Sequence, residues 1–178
     1  MIGILLAVAI PAMQHRAAEK AARGTVNAET LRRIEVLVEL VAHATNTALM
    51  IYDRRGNANL RESESDRVSQ REMVDQLTVY MRDISTMDLP TSTTIRCLGK
   101  MRGFLTIMRD LIGPPSAQAI PGSAAYAADW LVPLRHFSNT LLDLIEDGDD
   151  FGGRLMEGKS ALLQRSADAL TAAKAAQR

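Results

Sequence analysis

The sequence predicts an all-α fold: an antiparallel helical bundle of about five main helices, with an apolar helix at its N-terminus. Three observations carry this. Apolar residues recur at spacings of three and four along most of the chain. Hydrophobic residues make up 47% but aromatics only 4%, so a core must be assembled from Leu, Ile, Val, Met and Ala, the palette of packed helices. No stretch sustains the alternation of a half-buried strand. With 178 residues the chain is long enough for one domain with a real core.

Met1 to Met13, MIGILLAVAIPAM, is almost wholly apolar. As a helix it reaches roughly 20 Å, short of the roughly 30 Å hydrocarbon core of a bilayer. A basic flank follows, His15, Arg16, Lys20 and Arg23, as on the cytoplasmic side of a membrane segment. Residues 1–23 are therefore read as an anchor, with Ile2, Ile4, Leu5, Leu6, Val8, Ile10 and Arg16 as the membrane contacts, and residues 24–178 as the bundle. Two readings of the apolar run stand side by side. It is a short anchor or the tail of a longer membrane helix, or it is a helix buried in a homo-oligomer.

Gly24 to Asn27 reads as a break, with Asn27 as N-cap and Glu29 in the first turn of the next helix. That helix runs to about Asp53 on a stripe of Leu31, Ile34, Val38, Val41, Thr45, Ala48 and Tyr52, broadened by Leu37, Leu40 and Ala44. Arg54, Arg55 and Gly56 close it. After a polar turn, Met73, Leu77, Tyr80, Ile84 and Met87 mark a second helix. Pro90 ends it, since proline lacks an N–H and disfavours helix in the residue before it. Leu98, Met101, Leu105, Met108 and Ile112 mark the third, packed antiparallel on the second and stopped by Gly113-Pro114-Pro115. A further helix from Ser123 has Ala127, Trp130, Leu134, Phe137, Leu141 and Leu144 on its inner face, with a kink expected at Pro133. The last, about Arg154 to Ala175, carries Leu155, Leu162, Leu163 and Leu170.

Charge excludes one class of function. Lys and Arg number 21 and Asp and Glu number 21, evenly interleaved, so no basic stripe for nucleic acid is present. Cys97, the single cysteine, allows neither an intramolecular disulfide nor a Cys-based zinc site, and reads as a small core residue. Enzymatic motifs are missing. No serine lies in Gly-x-Ser-x-Gly, no Gly-rich loop cradles phosphate, and the histidines His15, His43 and His136 stand apart. The reading is non-enzymatic.

Three groups remain as candidate sites. Glu62 with Asp66, and Asp143 with Asp147, each place two carboxylates four residues apart, on one face of a helix, where they would serve a divalent cation or simply meet water. A divalent metal is the only cofactor these pairs suggest. Ser92, Thr93 and Thr94 gather hydroxyls and free N–H groups at a helix N-terminus, suited to an anion or to plain capping. Glu39 and His43 are also four apart, but a di-iron bundle needs Glu-x-x-His on two helices.

The segment Gln70-Arg71-Glu72-Met73-Val74-Asp75-Gln76-Leu77, then Val79-Tyr80-Met81, a short turn and Met101 to Leu111, resembles PhoU-like domains. The variety in question is the cytoplasmic bundle that follows the membrane part of bacterial sodium/phosphate cotransporters. The resemblance spans Leu31 to Ile112. It implies a membrane-linked regulator of phosphate transport, with a membrane or membrane-protein partner. Asp110 matches the acid that ends the family's later motif, whereas Thr106 stands where another acid is expected, so the family's metal-binding pattern is incomplete. A structural or sensory bundle that binds partner helices is the alternative.

Overall fold

A computed structural model describes residues 2–57, 59–114, 120–121 and 124–176, with the side chains of 2–22, 120–121, 124–125 and 176 excepted. The protein is an all-α bundle. Helix α1 runs Ile2–Gly56, α2 Glu64–Asp83, α3 Ser92–Ile112, α4 Ala124–Ala128, α5 Leu131–Asp149 and α6 Ser160–Ala176. Two-residue strands β1 (Arg61–Glu62) and β2 (Ile120–Pro121) pair antiparallel, Arg61 opposite Pro121 and Glu62 opposite Ile120.

The expected break at Gly24 is absent: α1 is continuous, and Asn27 is an interior residue rather than a cap. One glycine costs a helix roughly 0.5–1 kcal/mol, too little to stop a long helix that has strong formers before it in Ala21, Ala22 and Arg23 and resumes them at Ala28 and Glu29. Residues 23–29 are all exposed. From Ile34 onward the same helix enters the core through Ile34, Leu37, Val38, Val41, Ala44, Ala48 and Ile51. It packs most extensively on α5.

Ser63 caps α2 through a reciprocal box. Its hydroxyl accepts from the Asp66 N–H, and Asp66 accepts from the Ser63 N–H. The buried row of α2 is Arg67, Gln70, Val74, Leu77 and Met81. This corrects the expected stripe. Of that stripe Leu77 is buried and Ile84, just past the helix, packs half-buried against the core, while Tyr80 is 59% and Met87 93% exposed. Two polar residues, Arg67 and Gln70, hold the inner face of the first turns, so an apolar-only count set the phase one residue off. A 3-10 turn, Thr86–Asp88, and Pro90 lead to α3, capped by Thr91 with Thr94 in a second reciprocal box. All five expected inner residues of α3 are buried. Gly113 ends it at φ 74°, a conformation that favours glycine.

The expected kink at Pro133 is instead a break. Helix α4 stops, Asp129 and Trp130 turn, and α5 starts at Leu131. Pro133 thereby falls in a first turn, where its missing N–H leaves no gap. The inner face Ala127, Trp130, Leu134, Phe137, Leu141 and Leu144 is buried as expected. Gly148 lets α5 approach its neighbours: a Cβ there would lie 2.3 Å from Leu155 Cδ1 and 3.3 Å from Ile34 Cγ2. Helix α6 begins at Ser160, later than Arg154, because turns occupy the preceding stretch, with Gly152 and Gly158 at positive φ.

Candidate functional site

The α3 N-terminus and the end of α5 meet in a surface cavity of about 360 Å³, lined by Thr93, Arg96, Asp143, Glu146, Asp147 and Asp150. Two groups named from sequence thus come together: the hydroxyl cluster and the Asp143/Asp147 pair. The Thr91 hydroxyl, whose oxygen caps α3, donates to Asp147 Oδ2 at 2.6 Å. Lys100 Nζ lies 3.6 Å from Asp143 Oδ2. The protein's own Asp147 therefore supplies the negative charge that this helix terminus favours.

Within the hydroxyl cluster, the members differ. Thr94 is fully buried, and its hydroxyl donates to the Thr91 carbonyl at 2.8 Å. Ser92 is exposed and Thr93 half-buried beside the cavity. Capping, one of the two readings given for these residues, accounts for Thr94. Four carboxylates around the cavity also make it unfavourable to a second anion. Among the described residues, no group of three or more His, Cys, Asp or Glu converges as metal ligands would.

The Glu62/Asp66 expectation needs correction. Ser63 takes the N-cap, so Glu62 falls outside α2 in β1 and the two carboxylates do not share a helix face. Glu62 is 3% exposed and paired to Arg55, Nη2 to Oε2 at 2.9 Å and Nε to Oε1 at 3.3 Å. Asp66 is paired to Arg54 at 2.6 Å. The Ser63 backbone N–H, then its hydroxyl, and Arg54 hold the Asp66 carboxyl below the usual carboxylate range.

Arg55 anchors a buried polar centre that sequence reading missed. Its guanidinium lies 5.2 Å from the Trp130 ring centre, a cation–π distance, and Nη1 donates to the Leu111 carbonyl at 3.1 Å. Arg67 Nη1 donates to the Glu62 carbonyl at 3.4 Å. Three helices and β1 are joined at this point. Arg54 and Arg55 read in sequence as ordinary closing cations of α1, and only the register of Glu62, just before a cap, could have hinted at their role.

Elsewhere, His136 stacks on Phe104 with ring centres 4.0 Å apart, and burial, then Arg135, lowers its basicity. Cys97 is buried, with its thiol pushed up to about 11, first by burial. His43 is exposed, and Glu39 is bound to Lys159 at 2.6 Å.

Helix α1 is the remaining candidate. Between Arg23 and Gly56 it is long and apolar enough to cross a membrane, with mean hydropathy 1.4 in its most apolar window, yet 61% of that window is buried in the bundle. The anchor residues Ile2, Ile4, Leu5, Leu6, Val8, Ile10 and Arg16 lie on its N-terminal part, where the backbone is helical and the side chains fall outside the described ones. The chain matches no family model, no curated protein and no solved structure.

Proposed function

We propose that this protein is a non-enzymatic helical interaction module linked to a membrane by α1. One observation carries the reading: a single helix leads from the apolar segment, past a stretch exposed on every side, into the centre of the bundle core. The residues that join the apolar segment to the bundle, 23–29, are exposed, and a lipid phase would cover the apolar residues that precede them. Arg16, Lys20 and Arg23 favour a bundle on the cytoplasmic side. The mechanism is mechanical. The bundle is held at the end of a stiff helix and binds helical partners, a membrane protein among them, through its outer faces.

A homo-oligomer built on the apolar segments is the second reading. The apolar side chains of other copies would cover that segment as lipid would. A role in phosphate transport enters only through the PhoU-like resemblance of α2 and α3. Asp75 of that resemblance is paired with Arg109 at 2.9 Å, so its contacts add no support for a metal there.

Carbonate washing of fractionated cells, with detection by an antibody against the bundle, tests the proposal. Retention in the washed membrane supports it, and protease access from one side then gives the orientation. Release into the soluble fraction overturns the membrane link. A high native mass in that fraction would support the oligomer.

A further inference from the structure

We propose that the outer face of α3 is a self-complementary surface on which two copies of this chain pack antiparallel about Gly103. Arg96, Gly103 and Asp110 are spaced seven apart, two helical turns, and so lie on one line down the helix. All three are exposed. Beside that line stand Ile95, 44% exposed, and Ile107, 42% exposed, with exposed Gly99 between them.

The charges select the partner and its direction. Arg96 lies toward the start of α3 and Asp110 toward its end. Arg96 borders the acidic cavity of Asp143, Glu146, Asp147 and Asp150, but among the described residues neither it nor Asp110 is in an ion pair. A second copy laid antiparallel, with Gly103 on Gly103, brings each Arg96 to the other copy's Asp110. The same placement sets Ile107 over Gly99 of the other copy. A parallel pair would instead oppose Arg96 to Arg96.

The glycines agree with this arrangement. A Cβ added at Gly99 or at Gly103 would meet nothing within 4 Å, so the monomer's packing gives no reason for either. Glycine is among the poorest residues inside a helix. Its use twice on an exposed face suits a close approach of another backbone. One helix pair buries little against the roughly 1,200–2,000 Å² of stable interfaces, so the contact is weak and exchanging. Tethering on one membrane would raise its occupancy without being required for it.

The test uses the full chain as two single substitutions, Arg96→Cys and Asp110→Cys, with a short bis-maleimide. Cys97 is buried and, as a neutral thiol, does not compete. In a mixed sample the cross-linked pair keeps one native Arg96–Asp110 pair on its other side, so the mixture should yield several-fold more dimer than either variant alone. Adding Gly103→Leu to both should remove the product while thermal unfolding shows an intact bundle, and Ile107→Asp serves as a second block. The proposal fails if the mixture gives no excess, if Arg96→Cys alone cross-links best, or if the product survives both blocking substitutions. Running the test in detergent micelles as well as in liposomes separates its outcome from that of the membrane reading.

Discussion

Replacing Glu62 with Gln removes the charge opposite Arg55, where the two side chains are 2% and 4% exposed. A buried cation left without its carboxylate costs about 3–5 kcal/mol. Urea unfolding should show a loss of that size, and a loss under about 1 kcal/mol would mean that the Leu111 carbonyl and Trp130 hold Arg55 without it. At the α2 cap the effect depends on pH. Ser63→Ala should cost about 0.5–2 kcal/mol near neutrality. Because Asp66 is held below its usual range, its contribution is full above the ordinary carboxylate value and is lost as pH falls through the lowered one. The gap between wild type and Ser63→Ala should therefore narrow in acid without closing, because only the bond from the Ser63 hydroxyl to Asp66 is lost with the charge while the Asp66 N–H still donates to the Ser63 oxygen, as read from melts across pH. Cys97 has the opposite sign. Its thiol keeps its proton in the folded chain up to about 11 and in the unfolded chain to 9.0, so stability from this group is full below 9.0 and declines as pH climbs toward 11. A thiol reagent at pH 8 should label the native chain only as fast as it opens.

Among the elements, α3 and α5 were legible because large apolar residues recur every three or four along their inner faces and their ends are marked by Thr91, Gly113 and the acidic run after Leu144. Leu105→Ala should cost about 2–5 kcal/mol, and a loss under about 0.5 would contradict the packing of α3 on α2. Helix α2 was legible as a helix but not in rotation, since buried Arg67 and Gln70 look like surface residues in a sequence. The corrected phase separates two methionines. Met81→Ala should cost about 2–5 kcal/mol, and Met87→Ala, at an exposed turn, under about 0.5. Pro133 misled for a different reason. Proline fits a first turn as well as it breaks an interior, and only the position of Trp130 decides which. Of the candidate sites, the meeting of the α3 cap with Asp147 joins residues far apart in sequence. No local spacing reports such a contact.

For the whole molecule, the helix between the apolar segment and the bundle acts as a spacer. Gly24→Pro should bend it while leaving the bundle's melting temperature unchanged within about 1 °C, because residues 23–29 are exposed and lie ahead of the core residues that start at Ile34. A fall of several degrees would mean that this part of α1 contributes to the bundle after all. The dominant pairing of α1 with α5 has a consequence for how the chain acquires its structure. Helix α1 is made first on the ribosome, but its principal partner emerges only after α2 and α3. The hairpin of α2 and α3 joins neighbours in sequence and closes early, whereas the face of α1 from Ile34 to Ile51 waits for the rest of the chain. Until α5 arrives, that face is only partly covered by α2, α3 and α4, and synthesis of this protein exposes the rest to whatever chaperone or membrane reaches it first.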